Sequence, residues 1–356
     1  MRAASPPTPI DVVVVTWNNR AYLDDLLPAL AAQTHRHHRV VVVDNGSSDG
    51  TVAWLAEAWP GVRVVALRDN VGFAVANNHG IAVGDGPWVA LVNSDTVPEP
   101  GWLAALLAAG RTSPRIGSVA SLMLFMDRPH VVNSAGVAVD PTGIAWDWLG
   151  GSAVDDLPFD AAATAVPVFG ASAGAALYRR TALDDVALDD GALGHVFDPH
   201  YFMYLEDVDL AWRLRLRGWD AALAPGARIL HVGSGTSGEG SAFKNRLLAR
   251  NKVWTVVKDY PTWPLLAHLP LVIAYDLASV PYRVVVNGQT AALRGRWDAL
   301  TRLRHALRAR RRIQAARTAP WSFVAAAMAP LATPWSVARR YRHLRPAGTA
   351  DNDEKS

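Results

Sequence analysis

The sequence contains no cysteine, so neither disulfide bonds nor thiolate metal sites contribute to this protein. Its first nine residues are rich in proline and lack the apolar core of a signal peptide, so we expect no export and a cytoplasmic location. A glycine-rich loop carrying a lysine or arginine for a triphosphate is also missing near the first apolar segment. This last absence weighs against a nucleotidyltransferase without excluding one.

Acidic residues are scarce in the C-terminal part of the chain. Residues 283–356 contain 15 Lys or Arg and 4 Asp or Glu, whereas residues 1–282 contain 20 and 28. Such an excess of positive charge predicts an anionic partner, either a membrane surface or nucleic acid. The arginines have few aromatic residues among them and match no nucleic-acid-binding module, so we predict an anionic membrane and no nucleic acid.

Residues 263–286 are apolar and long enough to raise the question of a membrane span. Three prolines interrupt the segment: Pro264, Pro270 and Pro281. His268 and Asp276 add polar groups that are costly inside a bilayer. A single span stays an alternative, but we favour broken helices lying in the interface. Three aromatic residues would then sit near the lipid headgroups: Trp263, Tyr275 and Tyr282.

The first 125 residues alternate β-branched runs with helical patterns. Strands are predicted at 10–16, 39–44, 62–67, 88–92 and 116–121. Helices are predicted at 20–32, 49–58 and 74–83, with a further helix opened by Pro98 and Glu99. Continuous apolar strands separated by helices indicate an α/β fold with a mostly parallel sheet covered on both faces.

The remaining chain is less regular. Residues 126–200 show no clear periodicity, so we predict loops and irregular strands there that form one wall of a substrate site. A helix is predicted over 205–217, in which Asp209 and Arg213 have the spacing of an ion pair. The glycine-rich stretch 233–240 is typical of a mobile loop that closes over substrate, and helices are expected from there to about residue 345.

Acids and a histidine stand where predicted elements end or begin. Asp44 and Asp95 close predicted strands, His231 ends an apolar run, and Glu206 and Asp207 start a helix. The carboxyl ends of strands in an open α/β sheet line its ligand crevice. Acids that converge there hold a metal or move a proton, which indicates an enzyme. Each residue also has a structural alternative as a turn former, a helix cap or a hydrogen-bonded core histidine.

Several motifs in order resemble the family-2 inverting glycosyltransferases of GT-A fold, and most closely their bacterial rhamnosyltransferase-like members. The matching segments are Val13–Asn18, Val43–Thr51, Asn70–Asn77, Asn93-Ser94-Asp95, Phe169–Ala176, Leu205–Asp209 and Arg217-Gly218-Trp219. They extend over residues 10 to about 255. Each segment is weak alone, because an acid at a strand end is common, but their order and spacing are specific.

The resemblance implies a division of the chain. Residues 10–125 would be a nucleotide-sugar-binding half, and residues 126–258 an acceptor-binding and catalytic half. Residues 259–345 would be a basic, helical region that associates with the membrane. We expect disorder at 1–9 and 346–356.

The resemblance also assigns a donor site. Asp44 would accept a hydrogen bond from the imino N–H of a uracil or thymine base. The other donor-site residues would be Thr16, Asn18, Asn70, Gly72, Phe73, Asn77, Asn93 and Ser94. Asp95 and His231 would hold a divalent metal, Mg²⁺ or Mn²⁺. Asn93 replaces the first acid of the family's DxD-type motif, which weakens the expectation of a metal.

For catalysis, the resemblance makes Asp207 the base that deprotonates the acceptor hydroxyl and Glu206 the residue that binds or orients the acceptor. Arg179 and Arg180 are further candidates for contact with an acceptor diphosphate. The implied reaction transfers rhamnose from dTDP-rhamnose to a polyprenyl-linked or cell-envelope saccharide at the inner face of the membrane. A UDP- or GDP-sugar donor, and a sugar-phosphate nucleotidyltransferase, remain alternatives.

Overall fold

The computed structural model describes residues 8–188, 195–233, 241–281 and 290–332. Its strands are β1 Ile10–Thr16, β2 His38–Asp44, β3 Arg63–Ala66, β4 Trp88–Asn93, β5 Thr96–Pro98, β6 Ile116–Phe125, β7 Val132–Ser134, β8 Val137–Val139, β9 Ala145–Asp147, β10 Val166–Val168, β11 Ala175–Arg179 and β12 Asp220–His231. Its helices are α1 Arg20–Ala31, α2 Thr51–Ala58, α3 Phe73–Val83, α4 Trp102–Gly110, α5 Arg180–Val186, α6 Glu206–Leu216, α7 Ala242–Asp259, α8 Thr262–Pro281, α9 Ala291–Thr301, α10 Leu303–Ala316 and α11 Trp321–Ala326.

A central sheet has the strand order β10-β12-β6-β11-β4-β1-β2-β3, with β5 and β7 added at β12 and β6. Strands β4, β1, β2 and β3 are parallel neighbours, and β12 runs parallel to β6. Strand β11 runs antiparallel between β4 and β6. Because helices cover a mainly parallel sheet, the predicted α/β fold of GT-A type is confirmed.

Different helices pack on the two faces of the sheet. In β1, Ile10, Val12 and Val14 join a buried cluster with the leucines of α1 and α4, whereas Val13 joins a second cluster with α3, α5 and α6. Successive side chains of a strand point to opposite faces, so one apolar run serves both layers. The four leucines predicted to form one face of α1 are all buried: Leu23, Leu26, Leu27 and Leu30.

The helix start predicted at Pro98 and Glu99 is wrong. Pro98 ends β5 and lies opposite Ile229 of β12, and α4 begins only at Trp102. A proline is suited to the first turn of a helix, but it is equally accommodated in a short edge strand. Here the pairing of β5 with β12 makes Pro98 part of a strand, and the local sequence does not reveal that pairing.

The breaks predicted within residues 263–286 are wrong for the part that the structure describes, whereas the predicted interfacial position is not contradicted. Residues 262–281 form the continuous helix α8, and Pro264 lies in its first turn, where backbone N–H groups have no intrahelical partner. None of the helices in the described ranges is long and apolar enough to cross a membrane. Residues 282–286 and 234–240, and with them Tyr282 and most of the predicted loop over the substrate, lie outside the described residues.

A buried ionic network joins α6 to α7. The Nζ atom of Lys258 lies 2.5 Å from Asp198 Oδ2 and 2.5 Å from Asp209 Oδ1. Arg213 Nη2 lies 2.9 Å from Asp209 Oδ2, so the predicted Asp209–Arg213 pair is confirmed. Loss of one partner from such a buried pair costs on the order of 3–5 kcal/mol, because the other charge is left uncompensated. The network therefore fixes the start of α6 against the body of the protein.

Candidate active site

Three predicted donor-site residues lie side by side at the carboxyl edge of the parallel strands. Thr16 is in register with Asp44, and Val15 beside it is in register with Asn93. Parallel pairing of β4, β1 and β2 therefore brings together residues that are up to 77 positions apart in the sequence. This edge is where open α/β sheets bind ligands.

The Asp44 carboxylate is held by the turn that follows it but is only half satisfied. Its Oδ2 accepts a hydrogen bond from Ser47 N at 3.1 Å, while Oδ1 is buried without a hydrogen-bond partner among the described residues. The hydroxyl of Thr16 is buried and unpartnered in the same way. Asn18 braces this turn by accepting from Ser48 N at 2.8 Å. Unpaired buried acceptors are costly, which favours a ligand donor at this point.

Asn70 and Gly72 shape the neighbouring loop. Asn70 Oδ1 accepts from Asn45 Nδ2 and from Gly72 N, both at 3.0 Å. Gly72 has a φ of 86°, and a Cβ there would lie 2.5 Å from the ring of Phe202, so only glycine fits. Phe73 is partly buried against the core, and Asn77 donates to Phe73 O within α3 at 2.9 Å. These contacts give Phe73 and Asn77 packing roles, and their donor roles stay predictions.

Asp95 and His231 meet at the end of the site. Asp95 lies just after Ser94 in the turn between β4 and β5, and His231 Nε2 is 3.4 Å from Asp95 Oδ1. The other ring nitrogen, Nδ1, lies 2.9 Å from Asn133 Oδ1, a contact that orients the imidazole. An oxygen and a nitrogen at this separation can both reach one divalent cation, whose ligand distances are about 2.0–2.6 Å. The predicted pair therefore fits a metal, and Asn133 was missed by the sequence analysis.

A second group of possible metal ligands consists of Asp198, His200 and His305, whose ligand atoms lie within 4.8 Å of one another. The rings of His200 and His305 stack at 4.2 Å with an interplanar angle of 16°. Ring nitrogens in stacked planes point side by side and do not converge. Asp198 is moreover paired with Lys258, whose positive charge disfavours a cation. We therefore retain Asp95 and His231 as the candidate metal ligands.

Glu206 and Asp207 occupy the first turn of α6. Asp207 Oδ2 accepts from Ala173 N at 3.2 Å, and its Oδ1 accepts from Val208 N at 2.8 Å. Gly174 O, next along the chain, accepts from Asn93 N at 2.8 Å. A two-residue stretch of backbone therefore connects Asp207 directly to the donor edge.

The surroundings of Asp207 and Glu206 change the pKa values of their carboxyl groups to different extents. Burial raises the pKa of Asp207 from 3.8 to about 6, although hydrogen bonds from Ala173 and Val208 oppose the rise. Burial, and then the charge of Asp207, raise the pKa of Glu206 well above its usual value. Glu206 Oε2 accepts no hydrogen bond from any described residue. With a pKa of about 6, Asp207 is ionised at neutral pH, while burial and the charge of Asp207 favour the protonated form of Glu206.

The suggestion that Arg179 and Arg180 contact an acceptor diphosphate is wrong. Arg180 Nη2 lies 2.9 Å from the buried Asp11, near the start of β1, and Arg179 donates to Ile116 O and Gly110 O, both at 2.9 Å. Because β11 is antiparallel to β4, its last residues reach the amino edge of the parallel strands, opposite the acids. Both guanidinium groups serve the fold.

Comparison with known proteins identifies the family. The family description "Glycosyl transferase family 2" matches residues 11–187. The chain is 31% identical over 266 residues to an N-acetylglucosaminyl-diphospho-decaprenol L-rhamnosyltransferase of Mycobacterium tuberculosis, covering 68% of this chain and 81% of the relative. The chain belongs to glycosyl transferase family 2. It is a glycosyltransferase of the rhamnosyltransferase type, as the sequence motifs predicted.

Solved structures support the same fold. GalNAc-T7 with UDP, GalNAc and Mn²⁺ superposes with a TM-score of 0.57 at 15% identity, over 72% of this chain and 48% of that chain. Residues 1–349 of TarS from S. aureus give a TM-score of 0.52 at 17% identity, over 87% and 83% of the two chains. A mannosyltransferase from Pyrobaculum calidifontis with GDP-Man and Mn²⁺ gives 0.50 at 18% identity, over 88% and 86%.

The backbone that leads into Glu206 and Asp207 is strained. Phe202, Tyr204 and Leu205 have φ values of 66°, 70° and 64°, in the left-handed region that residues with side chains rarely adopt. Strain of this kind costs on the order of 1–3 kcal/mol per residue and persists only where surrounding contacts impose it. We define residues 201–205 as the strained turn. The sequence gives no sign of it, because these residues are not of the types that favour this conformation.

Two side chains of α7 hold the strained turn. The Asn251 amide donates to three of its carbonyl oxygens, those of Tyr201 (3.2 Å), Met203 (3.0 Å) and Tyr204 (2.7 Å). Arg250 donates to Tyr201 O at 2.7 Å and to Asn251 Oδ1 at 2.8 Å. Asn251 is completely buried, so water does not compete for its hydrogen bonds to these carbonyl groups. We call Arg250 and Asn251 the α7 clamp.

Replacement of Asn251 by alanine should release the strained turn. The amide shares two N–H donors among the three carbonyl groups, so at about 1 kcal/mol per donor its loss is expected to lower the free energy of unfolding by about 2 kcal/mol. Because the turn orients Asp207, we also expect kcat to fall by about tenfold or more. Thermal unfolding and steady-state kinetics measure the two effects.

Gln314→Ala is the matched control, since Gln314 also donates to two carbonyl groups, Lys258 O and Asp259 O, but not to the turn. It should lower stability and leave kcat nearly unchanged. Wild-type kcat in folded Asn251→Ala would contradict a positioning role for the clamp.

Proposed function

We propose that this glycosyltransferase transfers rhamnose from dTDP-rhamnose, with inversion at the anomeric carbon, to a polyprenyl-linked or cell-envelope saccharide. The observation that carries the proposal is the placement of Asp207. Its carboxylate is fixed by Ala173 N, one residue before the Gly174 carbonyl that bonds to Asn93 at the donor edge. A base beside a nucleotide-sugar site is the arrangement that inverting transfer requires.

The donor assignment is supported by Asp44. Its buried, unpartnered Oδ1 is matched to a single N–H donor, such as the imino group of thymine or uracil. The unpartnered Thr16 hydroxyl and the Asn18-braced turn complete the proposed base pocket. Rhamnose is proposed from likeness to the mycobacterial rhamnosyltransferase.

Asp95 and His231 would hold a divalent cation, Mg²⁺ or Mn²⁺, with Asn93 and Ser94 close by in sequence. When bound, such a cation stabilises negative charge that develops on the leaving diphosphate. Asn133 fixes the imidazole so that Nε2 faces Asp95. The two solved relatives with Mn²⁺ are consistent with this proposal.

The two acids take different parts in the reaction. Asp207, ionised at neutral pH, accepts the proton of the attacking acceptor hydroxyl as the hydroxyl oxygen forms its bond to the anomeric carbon and the nucleoside diphosphate leaves. Glu206, whose protonated form is favoured by burial, would bind or orient the acceptor. Backbone hydrogen bonds to Asp207 but none to Glu206 Oε2 support this division.

The acceptor is proposed to be a saccharide on a polyprenyl diphosphate, because the mycobacterial relative is described as acting on a decaprenol-linked sugar. We place the protein on the inner face of the cell membrane, with the donor half at 10–125 and the acceptor half at 126–258. Residues 259–345 would provide attachment to the membrane surface.

Asp207→Asn tests the base assignment. The amide retains the shape of the side chain but accepts no proton at catalytic pH, so kcat should fall by roughly 10²–10⁴-fold. The dissociation constant for dTDP, measured by calorimetry, should stay within about twofold of wild type, since Asp207 does not form the base pocket. Asp185→Asn, at a half-exposed ion pair with Arg217, is the control that should keep full activity. Substantial turnover by Asp207→Asn would move the base to another residue.

The pH dependence of kcat follows from the raised pKa of Asp207. Activity should rise with pH through about 6 and level off above it, because only the ionised carboxylate accepts a proton. The contribution of Asp207 to folding stability changes with pH in the opposite direction to activity. A folded pKa above the ordinary 3.8 means that stability falls as pH rises from about 4 to about 6.

The measurement is a kcat profile between about pH 5 and pH 8, with Ser172→Ala as a paired variant. The Ser172 hydroxyl lowers the pKa of Asp207, so its removal should shift the profile to higher pH. A flat profile over this range would exclude an ionising base of this kind.

A further inference from the structure

The exposed face of α8 is apolar along its described length. The residues that face solvent between 262 and 277 are Thr262, Trp263, Leu266, Ala267, Leu269, Pro270, Ile273, Ala274 and Leu277. None of them is charged. Trp263 is 80% exposed and Leu277 64% exposed. Large apolar side chains in a continuous row are unusual on a protein surface and mark a surface that binds something.

His268 and Asp276 of α8 point the other way, into the protein. His268 packs against Tyr260 and Trp321, with ring centroids 6.0 and 6.3 Å away. Asp276 lies 2.7 Å from Arg296 Nε and 3.5 Å from Lys252 Nζ. A helix on a water-exposed surface has its charged residues outside and its apolar residues inside. In α8 the inner face does carry apolar residues, since Leu265 and Val272 pack against the core, but its charged and imidazole groups are also inside and no charged residue lies outside.

Helix α9 continues the apolar surface. Leu293, Trp297 and Leu300 are spaced at i, i+4 and i+7, so they share one face, and they are 42%, 68% and 59% exposed. The Arg296–Asp276 ion pair attaches α9 to α8. We define the exposed residues of α8 together with these three residues of α9 as the α8–α9 apolar face.

The charges near this face are almost all positive. Exposed arginines follow it in the chain: Arg294, Arg302, Arg304, Arg308, Arg311, Arg312 and Arg317. The acidic residues of 262–332 are Asp276 and Asp298, and both are paired with arginine, the latter with Arg246 at 2.5 Å. Apolar side chains combined with an excess of positive over negative charge are complementary to a lipid surface that bears negative headgroups.

We infer that the α8–α9 apolar face inserts into the interface of an anionic bilayer while the arginines that follow it contact the headgroups. The occupant is lipid and not a second copy of the chain, because a second copy would bring its own arginines to the same surface. This inference deepens the proposed function, since it sets the site beside a membrane that would carry the acceptor. It makes α8 an interfacial helix and not a span.

The test uses the full chain and the double variant Leu266→Asp/Ile273→Asp, which places two charges on the exposed face. The control is Val52→Asp/Ala56→Asp, which adds the same charge at exposed positions of α2. Binding is measured by flotation with vesicles of phosphatidylcholine alone and of phosphatidylcholine with phosphatidylglycerol. Thermal unfolding and dTDP binding show that each variant is folded.

Wild type and control should bind the anionic vesicles, with affinity that falls as salt is raised, and the α8 variant should bind at least about tenfold more weakly. Equal binding by the α8 variant and wild type, or no binding by wild type, would overturn the inference. So would a lipid-free dimer that the α8 variant disrupts, since a second copy would then cover the face. Transfer to a soluble acceptor analogue is measured separately. Wild type that transfers sugar but does not bind the vesicles would refute the membrane surface and leave the proposed function intact, whereas absence of transfer would count against the proposed function itself.

Discussion

The position of Asp207 depends on a backbone that would not keep its shape alone. Three residues of the strained turn adopt left-handed φ values, and the α7 clamp holds carbonyl oxygens of that turn from a helix that begins more than thirty residues later. The buried ion pairs of Lys258 with Asp198 and Asp209 fix residues on either side of the strained turn. These contacts position Asp207, the proposed base, from a distance, and backbone strain of this kind is common near functional sites.

A change of strand direction brings the two halves of the site together. The parallel strands deliver Thr16, Asp44 and Asn93 to one edge, and the antiparallel β11 begins at that same edge. Its preceding residues, 172–174, therefore lie between Asn93 and Asp207. The same geometry carries Arg179 and Arg180 to the opposite edge, where they bond to Asp11 and to backbone carbonyl groups.

The features that could be predicted from the sequence are those that depend on the local pattern of residues. Apolar runs between helical patterns gave the α/β fold, and acids at strand ends gave the positions of Asp44 and Asp95. The motifs gave the family. The strained turn, the α7 clamp and Asn133 were missed because they depend on contacts between residues far apart in the sequence. The start of α4 was misplaced for the same reason, since Pro98 pairs with β12.

Helix α8 shows a different limit. His268 and Asp276 were counted against a membrane span because their polarity was known but their direction was not. In the structure both face the protein, and the outer face is apolar. The total hydrophobicity of a segment does not distinguish a helix with one apolar face from a helix that is apolar all round. That distinction requires knowing on which side of the helix each residue lies.

The most direct test of the account is thermal unfolding of the wild type and of Asp44→Asn with dTDP, UDP and GDP, each with and without Mn²⁺. A nucleotide at 100 times its dissociation constant stabilises the folded state by about 2.7 kcal/mol, which shifts the melting temperature by a few degrees. The account predicts stabilisation by dTDP that Mn²⁺ increases and that Asp44→Asn largely removes. No stabilisation by any nucleotide, or an equal shift in the two proteins, would contradict it.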